Sequence, residues 1–100
     1  MGEIPFTGGI CVVYTLSRHQ ARDYEGRFTN KSYYQLQKCN VRTPERVNAP
    51  IAVGIDLEDI INIAKNLCVP EIIRQKLSGE KGKIKVGQEI KVSYNCGLSI

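Results

Sequence analysis

The strongest constraint in this sequence is an apolar stripe that starts at Leu57. Leu57, Ile60, Ile61, Ala64 and Leu67 recur at the i, i+3, i+4, i+7 spacing of one helical face. Asp56 stands where an N-cap belongs. Pro70 then fits the first position of a second helix from Glu71 to Ser78, anchored by Ile73 and Leu77 and stopped by Gly79. Faces of this kind must lie against another apolar layer. The remaining apolar residues fall in short β-branched runs, so the layer is a sheet.

The first run, from Ile10 to Leu16, follows Gly8-Gly9 and reads as a buried central strand. Ser17 and Gln20 have the spacing of a capping box, and Gly26 lies where a short helix stops. The pattern predicts a polar helix from Arg18 to Glu25. Ser32 to Val41 reads as a strand with Tyr34 and Leu36 on one face and Cys39 and Val41 on the other, which requires a bulge near Gln37-Lys38. Val47 to Ile55 is a third strand. Its Ile51, Val53 and Ile55 share one face, and Ala52 and Gly54 on the other admit a close neighbour. Two last strands run from Lys83 to Val86 and from Ile90 to Tyr94, joined so that Val86 meets Ile90 and Ile84 meets Val92. Lys83, Lys85, Lys91 and Ser93 then form the outer face of that pair. The predicted order is β-α-β-β-α-α-β-β. It describes one α+β domain over residues 1–100, an antiparallel or mixed sheet of about five strands with two to three helices mainly on one side.

At 42% hydrophobic and 24% charged, the composition is that of an ordinary folded domain. No segment approaches the roughly 20 apolar residues of a membrane span. The N-terminus lacks the basic region and cleavage site of a signal peptide. Cys11, Cys39, Cys68 and Cys96 are too far apart for a zinc half-site, and one histidine cannot complete one. Each cysteine is in or beside an apolar run, so the expectation is reduced, mostly buried thiols in a cytoplasmic protein with no metal and no cofactor. Unprotected edge strands in a small chain make a homodimer an expectation as well.

Charge is concentrated between Ser17 and Arg46. Arg18, Arg22, Arg27, Lys31, Lys38, Arg42 and Arg46 stand against Asp23, Glu25 and Glu45, and this balance of +4 equals the net charge of the chain. Tyr24, Phe28, Tyr33 and Tyr34 lie in the same stretch. Interleaved cations and aromatics suit a ligand with phosphates and flat bases. The expected ligand-binding set is Arg18, Arg22, Arg27, Lys31, Tyr33 and Lys38. The leading expectation is a non-enzymatic protein that recognises nucleic acid or another phosphate-bearing, nucleotide-like ligand. The alternative is a small protein-binding inhibitor or adaptor that blocks a larger partner, of the kind phages and mobile elements encode.

Catalysis is not expected. His19 and Asp23 would share a helix face with Ser17 nearby, the start of a hydrolytic site. Nothing supplies oxyanion donors, and Cys11 sits in an apolar run that keeps a thiol protonated. Two local resemblances add to this reading. The run from Ile63 to Pro70 resembles the middle of a helix-turn-helix, with Cys68 in place of the turn glycine and Arg74 where an apolar residue belongs. Leu77-Ser78-Gly79-Glu80-Lys81 followed by Val86-Gly87-Gln88-Glu89-Ile90 is similar to the ASCH family of RNA-associated β-barrels. The Glu-x-Arg expected after its turn is missing and the strand between is short, so this likeness reduces to a helix stop followed by a hairpin.

Overall fold

The computed structural model describes residues 10–41 and 48–95. Four strands and two helices follow in the order β1 (Ile10–Arg22), β2 (Phe28–Asn40), β3 (Asn48–Gly54), α1 (Leu57–Asn66), α2 (Glu71–Ser78) and β4 (Glu89–Asn95). The strands form one antiparallel sheet in the spatial order β3-β2-β1-β4. The fold is α+β as expected, but with one strand and one helix fewer than the predicted order, and with β-β-β-α-α-β connectivity.

The largest difference lies at residues 18–25, where a helix was expected. β1 continues as strand to Arg22, pairing His19 with Tyr33 and Gln20 with Ser32. The segment has no apolar stripe to bury as a helix, and the cross-strand ladder satisfies its backbone instead. Gly26 is a turn residue at φ +85°, not a helix stop. Its N–H donates to Asp23 O at 3.0 Å, and Asp23 Oδ1 accepts from the backbone N–H groups of Glu25 and Arg27 at 2.9 Å each. This is a tight hairpin turn with glycine at the left-handed position.

The second difference is at residues 83–86, which form no strand among the described residues. Gly82 and Gly87 adopt φ +78° and +88°, and Gln88 folds back so that its Oε1 accepts from Lys85 N–H at 3.0 Å. Ile84 is buried while Val86 is 47% exposed. The expected pairing of Val86 with Ile90 is replaced by pairing of β4 with β1, where Ile90 meets Leu16 and Val92 meets Tyr14. A lone hairpin is marginal in water, whereas an edge on a larger sheet is not.

Alternation along β1 and β2 directs Tyr14, Leu16, Tyr34 and Leu36 into the core, where Ala52 and Val92 join them. Leu57, Ile60 and Ala64 of α1, Ile73 and Leu77 of α2, and Val69 and Ile84 cover that side. Burial holds the Tyr14 phenol above its ordinary pKa, and the neighbouring Tyr94 adds to this. The bulge expected in β2 is found at that level but in the partner strand. Leu36 pairs with Ala52 and Gln37 with Pro50, which leaves Ile51 as the extra residue on β3. Ala52 and Gly54 face the helix layer, as their size allows. A Cβ on Gly54 would come 2.8 Å from Asp59 Cβ. Val53 and Ile55 are left 54% and 73% exposed.

Both helices match their predicted spans closely. The backbone N–H of the cap residue Asp56 donates to Asp59 Oδ2 at 3.4 Å. At the other end Val69 N–H donates to Ala64 O at 2.9 Å and Cys68 N–H to Lys65 O at 3.1 Å. That is a Schellman closure, and it puts Cys68 at φ +62°. Arg74, out of place for a helix-turn-helix, donates from Nε to Val69 O at 3.1 Å.

Cys11 is disulfide-bonded, which corrects the expectation of reduced thiols. An apolar run marks burial, not redox state. Cys68 is exposed and not buried, Cys39 is half-buried, and Cys96 lies outside the described residues. The cytoplasmic expectation loses the support it drew from reduced thiols. No described helix is long and apolar enough to cross a membrane.

Candidate functional site

β3 ends where Gly54 pairs with Tyr34, and β4 begins where Glu89 pairs with Ser17. Beyond these points β1 and β2 continue as a two-stranded arm that ends in the Asp23–Gly26 turn. About six residues per strand at 3.3 Å each give it a reach of roughly 20 Å. The fold is accordingly elongated, 55 × 26 × 22 Å.

Arg18 fixes the foot of the arm. Its Nη1 donates to Ile84 O at 2.9 Å and its Nε to Ser32 Oγ at 3.1 Å. The guanidinium lies 5.4 Å from the centre of the Tyr34 ring. Its backbone is held as well: Arg18 N–H donates to Gln88 O at 3.1 Å, and Gly87 N–H donates to Arg18 O at 2.8 Å. On the other face, His19 stacks on Tyr33 with ring centres 5.3 Å apart, and His19 Nε2 shares a 2.8 Å hydrogen bond with Ser17 Oγ.

The tip is more open. Tyr24 is 97% exposed and Phe28 is 59% exposed. Arg22 lies over the Phe28 ring at 4.3 Å. Arg27 meets Glu25 at 3.7 Å, an exposed pair of small energetic weight. Between tip and foot, a groove of about 490 Å³ runs beside β2. Arg18, Ala21, Lys31, Ser32 and Tyr33 line it, with Ile55 and Asp56 closing one end.

The six expected ligand residues therefore fall into three places. Arg18, Lys31 and Tyr33 share the groove, and Arg22 and Arg27 are at the tip. Lys38 stands apart, opposite Tyr14 in the body of the sheet and roughly 23 Å from Lys31 along β2. Arg42 and Arg46 lie outside the described residues. The His19–Asp23 pairing does not form, because Asp23 is occupied by the turn backbone and His19 by Ser17. Among the described residues no cluster of His, Cys, Asp and Glu converges to hold a metal ion.

The lysine-rich outer face expected of residues 83–93 was not assigned to a site from the sequence. Lys76, Lys83 and Lys91 border a depression of about 670 Å³ beside β4, together with Gly79, Glu80 and Ser93. Its signal was available: five lysines against Glu80 and Glu89 give residues 76–91 a local balance of +3. Summed over the whole remainder of the chain, that balance vanishes. Comparison of the chain with protein-family models, with curated proteins and with solved structures returned no match.

Proposed function

We propose that this protein binds nucleic acid, without catalysis, through the β1–β2 arm. The observation that carries the reading is the exposed Arg22–Phe28 stack at the end of a ribbon whose strands, among the described residues, pair with each other and with no further strand. A two-stranded antiparallel ribbon has the cross-section that a DNA major groove admits. Arg22, Arg27 and Lys31 supply cations for phosphates, and Tyr24 and Phe28 supply faces for unpaired bases. Arg18 and Tyr33 at the foot complete the path, and Lys38 is left out of it.

Fluorescence anisotropy against labelled single- and double-stranded DNA and RNA across a salt series tests the reading. Binding with a steep salt slope is expected, since each phosphate contact releases about one counterion. Replacing Arg22 and Arg27 together by Ala should weaken binding and reduce that slope while leaving the melting temperature unchanged. Flat traces at low salt would discard the reading in favour of the protein-blocking class, with Tyr24 as the anchor offered to a partner's pocket.

A further inference from the structure

β4 is an outer strand of the sheet, and its open side carries a definite set of backbone groups. Arg18 N–H donates to Gln88 O at 3.1 Å and Gly87 N–H donates to Arg18 O at 2.8 Å, so the Arg18 backbone faces the β4 side. The β1–β4 ladder runs without a register shift from Val12 to Ser17, and alternation turns Leu16 and Tyr14 the same way. Their partners Ile90 and Val92 therefore bond back to β1. Lys91 and Ser93 direct their N–H and C=O groups outward. No described residue bonds to those groups.

The depression of about 670 Å³ lies along this open side, because Ile90, Lys91, Val92 and Ser93 all border it. Successive side chains of a strand point to opposite faces, so one hollow meets four in a row only at the strand's edge. Its far wall holds Lys76, Gly79, Glu80 and Lys83. Lys91 is paired with Glu89 at 3.1 Å, whereas Lys76 and Lys83 have no ion pair among the described residues.

We infer that the β4 edge accepts an extended acidic segment of a partner protein as an added strand. Lys91 and Ser93 offer the main-chain donors and acceptors, and the wall sets the side chains. Carboxylates of the added strand face Lys76 and Lys83, which outnumber Glu80, and uncharged polar groups lie beside Lys91 and Ser93. A second copy of this chain is a poor occupant. A second β4 would bring its own lysines against these, and β3, the other outer strand, contains Pro50 and no carboxylate. Phosphate oxygens only accept hydrogen bonds, so a nucleic-acid backbone would leave the Lys91 and Ser93 carbonyls unserved. The site does not rest on nucleic-acid binding by the arm.

The test titrates the full-length protein with a fluorescein-labelled seven-residue peptide of alternating Glu and Thr, read by anisotropy and by amide hydrogen exchange. In the free protein the amides of Lys91 and Ser93 should exchange fast and those of Ile90 and Val92 slowly. The peptide should slow the first pair about tenfold or more. Lys76→Glu combined with Lys83→Glu should weaken the Glu peptide about three- to tenfold and strengthen an alternating Lys and Thr peptide. Ser93→Pro removes an outward N–H and no bond to β1, so it should weaken binding about tenfold with little change in the thermal melt. Absence of binding, exchange at Lys91 and Ser93 that the peptide does not slow, or indifference to the lysine reversal overturns the inference. Slow exchange at these two amides in the free protein also overturns it, since the edge is then already covered. Single-stranded DNA that slows them where the Glu peptide does not overturns it in favour of nucleic acid.

Discussion

Arg18 reaches from the foot of the arm to Ile84, donating from Nη1 to that residue's carbonyl at 2.9 Å. This contact ties the irregular segment before β4 to the start of the ribbon. Arg18→Ala leaves the Ile84 carbonyl without its charged donor and should cost about 2 kcal/mol. Lysine has no fork with which to hold Ile84 and Ser32 at once, so Arg18→Lys should recover only part of the loss. Urea denaturation checks both. A variant as stable as the parent would mean that the clamp is dispensable.

Gly54 lies against the first turn of α1, where a Cβ would meet Asp59 Cβ at 2.8 Å. Gly54→Ala should therefore destabilise the fold by about 1–3 kcal/mol, because the colliding carbon is on the helix itself and not at the end of a flexible side chain. The urea midpoint should fall with little change in slope.

Cys68 occupies the left-handed position that closes α1, at φ +62°. Glycine takes that conformation without the steric penalty, so Cys68→Gly should stabilise the protein by about 1 kcal/mol. A raised melting temperature is the expected reading, and a lowered one would show that the exposed thiol contributes something else.

Burial, and then the nearby Tyr94, hold the Tyr14 phenol above its ordinary pKa. The folded state thus favours the protonated phenol. Its contribution is complete below the unfolded value of about 10 and is lost as pH rises toward the folded value. Stability should decline on the alkaline side, and Tyr14→Phe should flatten that decline in melts taken between about pH 9 and 11.

The disulfide at Cys11 predicts a redox dependence. Reduction or Cys11→Ser should lower stability by about 2–4 kcal/mol. Thiol titration of the denatured, unreduced protein should find fewer reactive groups than the 4 cysteines of the sequence. A full count, or a melt unmoved by reductant, would contradict the bond.

The helices were legible because their information is local. Leu57, Ile60 and Ala64 repeat within one element, and Asp56, Pro70 and Gly79 mark its limits and those of the next. The arm was not, because residues 18–22 have their reason for being strand in residues 28–34. A ribbon wet on both faces shows no period of two, and Ser17, Gln20 and Gly26 imitate a short helix. The opposite error occurred at Ile84 and Val86, whose spacing is that of a strand although Gly82 and Gly87 turn the chain out of one. Of the site, the cations and aromatics could be read in advance, but their division could not. Lys38 belongs to the sheet body, Arg18 serves Ile84, and Tyr33 stacks on His19.

In mechanical terms the arm is a cantilever built into the sheet, since β1 and β2 continue from the tip, past one register shift between Gln20 and Arg22, to Tyr14 and Leu36. Its fulcrum is Arg18, gripped from the side by Gly87 and Gln88. A load applied near Tyr24 must then be felt at Ile84 and in the lysine-rich segment around it, before it reaches either helix. Slowed amide exchange at Gly87 on engagement of the tip would be the first sign of that leverage.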